Sequence, residues 1–203
     1  VHYVPIELPG ARWPHDLGIT RNHTILHDLP LYFDPEGLRR GQHKLVFNRD
    51  QPARFGLVPR YGDNAQVRWF EATPCYILHI TNCFESGDEV IMDGYIMPDY
   101  KTVPVNATGN VYDRIRANLD KHNNPTLMHR WRFNLKTGET KEQSLNDRIV
   151  EFGMFNQRYA GRKYRYAYSA RAKPGWFLFT GYIKHDFETG KTWEIELEPD
   201  CYA

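Results

Sequence analysis

Two hairpin-like segments of nearly the same pattern constrain the fold of this chain most strongly. Residues 130–145 (RWRFNLKTGETKEQSL) and 181–197 (GYIKHDFETGKTWEIEL) each contain a strand, an Asn or Asp, a Thr-Gly turn and a second strand. A looser copy covers residues 29–47. Similar hairpins that recur about every 40–50 residues are typical of β-propellers, in which each hairpin forms the outer part of a blade. A β-sandwich with Thr-Gly hairpins is the alternative that this pattern leaves open.

Strand-like segments dominate the rest of the sequence, and turn clusters such as DPEG, ESGD and HNNP separate them. The predicted strands are 23–33, 44–48, 54–59, 67–71, 76–84, 89–95, 127–134, 164–169, 176–185 and 192–197. Only 111–121 predicts a helix, because Val111, Ile115 and Leu119 recur at helical spacing. We therefore expect an all-β chain with minor helical and loop content, organised as one partial propeller domain over residues 1–203.

Composition narrows the classes of partner. The 203 residues contain 26 Lys and Arg against 25 Asp and Glu, which gives a formal net charge of +1. This balance gives no electrostatic case for a nucleic-acid partner. No apolar run approaches the length of a membrane span, so membrane contact is expected to be peripheral at most. Three cysteines without a Cys-x-x-Cys pair indicate reduced thiols and a cytoplasmic location, while the oligomeric state is left open.

His79 lies in the middle of an otherwise apolar strand, FEATPCYILHITNCFE (70–85). Strand alternation places it on the same face as Ile77 and Thr81, and because both faces are largely apolar we expect a buried imidazole. A buried imidazole needs partners for its nitrogens. It is then either a hydrogen-bonded core histidine or a metal ligand or catalytic group, since neutral histidine is the commonest metal ligand in proteins.

The other histidines differ in context. Four lie near turns or polar stretches and are predicted to be at the surface, namely His2, His43, His122 and His129. His23 and His27 share one strand face among polar neighbours, which favours solvated or hydrogen-bonded side chains. His15 follows Pro14, which fixes the local backbone, and precedes Asp16, a possible hydrogen-bond acceptor. This arrangement can present a single imidazole from a strand end.

Glu151 lies between Val150 and Phe152 and is therefore expected in apolar surroundings. A buried carboxylate needs a hydrogen-bond donor or an opposite charge. The remaining N–H of a metal-bound imidazole is one such donor. The alternative is a salt bridge with one of three arginines nearby in sequence, Arg158, Arg162 or Arg165.

Together these segments resemble the carotenoid cleavage oxygenase family, which includes the lignostilbene dioxygenases. They occur in the family's order and span nearly the whole chain. WPHDLGITRNHTILHDLPL (13–31) is similar to the family's MHDFAIT segment, PARFGLVPR (52–60) to ARFGVLPR, and residues 67–94 to WFEAPPCYVLHVVNAWEEGDEVVLD. EFGMFNQRYAGRKYRYAY (151–168) is similar to EFPRINPRYVGRPYRYGY, and IKHDFETG (183–190) to the late DLETG hairpin.

The resemblance implies a seven-bladed β-propeller, of which roughly three to four blades would be present in this chain. It also implies a non-haem Fe(II) held by four histidines, of which His15 matches the second and His79 the third. Glu151 matches a glutamate that hydrogen-bonds a ligand histidine. The implied reaction is oxidative cleavage by O2 of a conjugated C=C bond in a carotenoid, apocarotenoid or stilbene-type substrate, which gives two carbonyl products. Candidates for a substrate tunnel, or alternatively for the core, are Trp13, Phe84 and Phe155.

The sequence departs from the family pattern at both ends. The family's first and fourth histidines have no counterpart here, nor does a GEPVFVP segment with a further glutamate, and the chain begins at Val1 rather than Met. We therefore expect an internal fragment of an oxygenase that is inactive by itself. The alternative is a non-catalytic propeller interaction module in which His15 and His79 are structural. A sugar-cleaving enzyme is disfavoured because no pair of carboxylates stands out.

Overall fold

The computed structural model describes residues 1–42, 44–101, 110, 112–113, 117 and 119–203. Strands predominate in these residues, and the predicted all-β class is confirmed. In chain order the strands are β1 (Gly18–Ile19), β2 (His23–Asp28), β3 (Leu31–Phe33), β4 (Leu45–Phe47), β5 (Ala53–Pro59), β6 (Arg68–Ala72), β7 (Tyr76–Ser86), β8 (Glu89–Met97), β9 (Leu127–Asn134), β10 (Thr140–Ser144), β11 (Val150–Phe155), β12 (Tyr166–Ala172), β13 (Phe179–Asp186) and β14 (Thr192–Glu196). Of the predicted helix over 111–121, residues 111, 114–116 and 118 lie outside the described residues, and residues 112, 113, 117 and 119 are helical.

Three four-stranded antiparallel sheets organise the described chain. The first sheet has the order β1-β2-β5-β6, the second β7-β8-β9-β10 and the third β11-β12-β13-β14. Strands that are neighbours in sequence are neighbours in the second and third sheets, which is the connectivity of a propeller blade. The described residues contain no closed propeller, so the seven-bladed architecture stays a prediction.

The two Thr-Gly hairpins predicted from the repeated motif are confirmed. They are β9–β10 and β13–β14, the outer strand pairs of the second and third sheets. Asn134 and Asp186 each accept hydrogen bonds from the backbone N–H groups two and three residues later. Gly138 and Gly190 have φ values of 78° and 69°, a left-handed conformation that glycine adopts without steric cost. The shared motif therefore encodes a shared turn.

Other predicted strands need correction. The predicted strand 23–33 is divided into β2 and β3, because Pro30 lies between them and lacks the N–H that a continuous ladder requires. The looser hairpin copy over 29–47 is not the outer part of a blade: β3 and β4 form a separate two-stranded sheet inserted between β2 and β5. The short strand β1 and the strand β11 were not predicted from the sequence.

Aromatic side chains fill the spaces between the sheets. Phe55 of β5 contacts Trp131 and Phe133 of β9, with ring centroids 5.6 and 5.2 Å apart, which joins the first sheet to the second. Phe84 of β7 contacts Tyr164, which precedes β12, and so joins the second sheet to the third. Burial of such a side chain contributes about 1.5–3 kcal/mol. These contacts fix the position of each sheet relative to its neighbour.

Helices and disulfides contribute little to the described chain. The helix α1 (Pro35–Arg39) has five residues and lies between β3 and β4. Among the residues that the structure describes, no helix combines the length and apolar character needed to cross a membrane. The three cysteines are free thiols, of which Cys75 and Cys83 are buried and Cys201 is exposed.

Candidate metal centre

The inner edges of the three sheets meet at one place. β7 is an edge strand of the second sheet, and it packs against both β1 of the first sheet and β11 of the third. The three predicted site residues come from these elements, because His15 precedes β1, His79 lies in β7 and Glu151 lies in β11. Packing of the sheets therefore brings together residues that are far apart in sequence.

His79 lies within the first of two consecutive β-bulges in β7. β7 pairs with β8 through Ile77, Ile80 and Asn82, and between these residues two register shifts each leave an extra residue on β7. A bulge bends its strand and re-aims the side chains, so regular alternation fails here. The prediction of a buried His79 is therefore wrong: its side chain is 28% exposed and lines a cavity.

A third bulge positions Glu151. Between Glu151 and Met154, β11 carries one residue more than its partner β12. Phe152 in this bulge has a φ of 55°, a left-handed value that costs a residue with a side chain about 1–3 kcal/mol. Glu151 Oε2 accepts hydrogen bonds from His79 Nδ1 at 2.7 Å and from the Phe152 backbone N–H at 2.8 Å. The Phe152 ring also packs against the His79 ring, with centroids 4.8 Å apart.

The segment that carries His15 is attached to β7 on both sides of the imidazole. Tyr76 Oη donates to the Trp13 carbonyl oxygen at 2.8 Å. Asp16 Oδ2 accepts from the Ile80 backbone N–H, also at 2.8 Å. Ile80 lies between the two bulges, where the ladder with β8 is irregular. The irregular stretch of β7 therefore supplies the N–H that holds the His15 segment in place.

Both imidazoles are oriented through Nδ1. His15 Nδ1 lies 3.1 Å from the carbonyl oxygen of Leu78, and because a carbonyl only accepts, this nitrogen carries the proton. His79 Nδ1 donates to Glu151. In the neutral form of each ring Nε2 then has a free lone pair, as in metal-binding histidines held by a carboxylate or a carbonyl. The ring centroids are 5.0 Å apart with an interplanar angle of 89°, so both rings can contribute to one metal site.

Glu151 is completely buried, and its two oxygens differ. Oε1 has no hydrogen-bond partner among the described residues, and the Lys121 ammonium lies 4.0 Å away. In the described chain none of the three arginines predicted as alternative partners forms an ion pair with Glu151. Arg165 pairs with Asp186 instead, at 2.8 Å. The carboxylate therefore lies between an imidazole and a buried ammonium.

Two further histidines differ from their predicted environments. His27 is 3% exposed, and within the described chain neither of its nitrogens has a hydrogen-bond partner. Burial lowers the pKa of His27 to about 4. His129 was predicted at the surface, but it lies in β9, packs on Trp131 and has a side chain that is only 12% exposed. Its burial depends on the face of the strand that it occupies and not on the nearby turn. His43 lies outside the described residues.

A cavity of about 720 Å³ opens beside the two imidazoles. Its apolar lining includes Trp13, Leu31, Tyr76, Met97, Phe152 and Phe177. Size and lining are typical of a small-molecule site. Of the three predicted tunnel residues, only Trp13 lines this cavity. Phe84 is 3% exposed and belongs to the core, and Phe155 lines a second cavity of about 1290 Å³.

The two histidines do not complete a metal site within the described residues. There, no group of three or more His, Cys, Asp or Glu side chains is placed to hold a metal ion together. Sequence reasoning missed two residues at the site, Phe152 and Lys121. The only signal for Phe152 was the glycine that follows it, and Lys121 had none, because its contact with Glu151 arises from packing.

Comparison with known proteins identifies related sequences. The Retinal pigment epithelial membrane protein (RPE65) family matches residues 1–203. A carotenoid 9,10(9',10')-cleavage dioxygenase of Crocus sativus is 38% identical over 168 residues, which cover 81% of this chain and 29% of that protein. The carotenoid 9,10(9',10')-cleavage dioxygenase 1 of Pisum sativum is 35% identical over 196 residues, which cover 93% of this chain and 34% of that protein. The chain thus spans about a third of the length of these curated relatives.

Solved structures share the fold. A variant of the Synechocystis apocarotenoid oxygenase (ACO) matches with a TM-score of 0.79 at 23% identity, over 95% of this chain and 40% of that chain. The cobalt-substituted Synechocystis ACO matches with a TM-score of 0.79 at 24% identity and the same coverage. Because the family match extends over every residue, the chain belongs to the RPE65 family, that of the carotenoid cleavage oxygenases.

Proposed function

We propose that the natural protein carrying this chain is a non-haem Fe(II) dioxygenase that uses O2 to cleave a conjugated C=C bond into two carbonyl products. The observation that carries the proposal is the pair His15 and His79 at the wall of an apolar cavity. Each ring is held through Nδ1, and among the described residues neither Nε2 has a hydrogen-bond partner. The relatives named as carotenoid cleavage dioxygenases support the same reaction class.

The donor set on this chain suits iron. His15 and His79 offer imidazole nitrogens, which are suitable ligands for Fe(II). Two further histidine ligands are expected from parts of the family pattern that this sequence does not contain. When bound, iron supplies the redox chemistry toward O2, which protein side chains lack. Because this sequence supplies only two of the expected histidine ligands, the 203-residue chain by itself is expected to be inactive.

The remaining residues bind and orient. Glu151 accepts a hydrogen bond from His79 Nδ1. This hydrogen bond raises the basicity of the imidazole, and the carboxylate charge offsets part of the positive charge of a bound metal. The aromatic lining of the cavity, with Trp13, Phe152 and Phe177, excludes water and packs against flat conjugated molecules. A carotenoid, apocarotenoid or stilbene-type substrate fits this chemistry. A cytoplasmic location and at most peripheral membrane contact stay predictions.

Metal content tests the proposal. The natural protein carrying these residues, loaded with Fe(II) without oxygen, is expected to retain stoichiometric iron after gel filtration, and His79→Ala is expected to lose it. His2→Ala is the matched control, because His2 is an exposed histidine outside the cavity. Stoichiometric iron in His79→Ala would contradict the ligand assignment. No iron in the unmodified protein would favour the non-catalytic interaction module.

A further inference from the structure

The hydrogen bonds at His79 use only one oxygen of the Glu151 carboxylate. Oε2 accepts two hydrogen bonds, whereas Oε1 has no hydrogen-bond partner among the described residues although the side chain is completely buried. A buried ionised carboxylate is unfavourable without an opposite charge. A cation or a further hydrogen-bond donor on the Oε1 side would therefore stabilise the site.

Lys121 lies on that side. Its Nζ is 4.0 Å from Oε1, and the residue is 7% exposed. Nζ also lies 5.9 Å from the centre of the Phe177 ring, and Lys121 lines the same cavity as His79. Burial lowers the pKa of Lys121, and the negative charge of Glu151 opposes this shift. The ammonium and the carboxylate thus face each other within an apolar wall.

The turn that carries Lys121 is anchored at its neighbour. Asp120 Oδ2 accepts from the Gly175 backbone N–H at 3.0 Å, and Asp120 Oδ1 accepts from the His122 N–H at 3.0 Å. The first contact ties the turn to the segment before β13, in the same sheet as β11. The packing of the turn on the third sheet therefore places Lys121 next to Glu151. Lys121 is not a freely rotating surface side chain.

We propose that Lys121 is a positioning residue of the metal site that acts through Glu151. Its ammonium holds the Oε1 side of the carboxylate, so that Oε2 stays aligned with His79 Nδ1 and His79 Nε2 stays directed to the metal. Without this charge the carboxylate would turn toward other donors, and the imidazole would lose its fixed orientation. The inference rests on the proposed function, because it assigns Lys121 a role in metal binding.

A double-mutant cycle in the metal-free natural protein tests the pairing first. Lys121→Met keeps the aliphatic stem and removes the charge, and it is expected to lower the urea midpoint because Glu151 is left without a counter-charge. Addition of Glu151→Gln is expected to restore part of that loss. Lys44→Met is the matched control, since Lys44 lines the same cavity but forms no ion pair with Glu151 in the described chain. Independent effects of Lys121→Met and Glu151→Gln would overturn the proposal.

Metal affinity tests the role itself. Lys121→Met is expected to weaken Fe(II) binding about tenfold in the otherwise unmodified protein, and less than about twofold in the Glu151→Gln background. The visible bands of the Co(II)-loaded protein should shift in Lys121→Met and not in Lys44→Met. An equal loss of affinity in both backgrounds, or none in either, would overturn the proposal.

The two proposals fail in different ways. If the unmodified protein binds iron and the cycle shows no Lys121–Glu151 coupling, only the role of Lys121 is refuted. If the coupling is present but the unmodified protein binds no iron, the proposed function is refuted, and the role of Lys121 at a metal falls with it.

Discussion

Replacement of Asp93 by asparagine is expected to loosen the second sheet from the third. Asp93 in β8 is completely buried, and its carboxylate accepts from Arg130 Nε at 2.6 Å, from Arg130 Nη2 at 2.8 Å and from Tyr164 Oη at 2.8 Å. Arg130 belongs to the second sheet, and Tyr164 to the segment that leads into β12 of the third. This carboxylate therefore joins the two sheets that position His79 and Glu151.

The expected magnitude follows from the burial of the pair. Asparagine keeps the size of the side chain but removes the charge, so that Arg130, whose side chain is 11% exposed, is left as an unpaired buried cation. Loss of one partner of such a pair costs about 3–5 kcal/mol. With a urea m value of about 2–3 kcal/mol/M, the midpoint of unfolding should fall by about 1–2.5 M.

Urea denaturation followed by tryptophan fluorescence and circular dichroism measures this loss. Glu139→Gln is the matched control, because Glu139 pairs with Lys141 at 3.7 Å while both side chains are more than half exposed. Its cost should be below about 1 kcal/mol. Addition of Arg130→Met to Asp93→Asn should recover stability, since the unpaired charge is removed. A midpoint for Asp93→Asn no lower than that of Glu139→Gln would refute the reasoning.

Three further predictions concern the site and its supports. Glu151→Gln should weaken Fe(II) affinity by about 10- to 100-fold in a chelator competition assay, and unchanged affinity would argue against its role. Gly153→Ala should cost about 1–3 kcal/mol in urea denaturation, because the new Cβ would clash with Thr81 Oγ1 and lie 2.9 Å from Tyr95 Oη. His27→Leu should reduce the loss of stability in acid. Burial lowers the pKa of His27 from 6.5 to about 4. The unfolded chain therefore binds a proton at His27 before the folded chain does, and the free energy of unfolding falls by about 3 kcal/mol as the pH falls from 6.5 toward 4. Parallel curves of urea midpoint against pH for the two proteins would contradict this assignment.

Local sequence patterns predict much of this fold. Alternating β-branched and aromatic residues indicate most strands, and the Asn or Asp before each Thr-Gly turn indicates the two outer hairpins, because these signals depend on residues close in sequence. The division of 23–33 could also have been anticipated from Pro30. The short strand β1 could not, because two paired residues leave no recognisable pattern.

The site is harder to predict because it depends on irregular strands. His79, His15 and Glu151 were candidates from their sequence context, but the exposure of His79 was missed because alternation assumes a regular pleat. The bulges in β7 and β11 form where the inner edges of three sheets pack together, and the left-handed Phe152 is tolerated only within that packing. Lys121 reaches Glu151 through tertiary contacts that a local pattern does not contain.

No single sheet carries the candidate metal centre. His15 leads into the first sheet, His79 belongs to the second and Glu151 to the third. A ligand that binds only the assembled arrangement stabilises that arrangement by mass action. Iron bound by both imidazoles would therefore cross-link the first sheet to the second. Its release should loosen the contacts between the sheets before it disrupts the hydrogen-bonded ladder within any one of them.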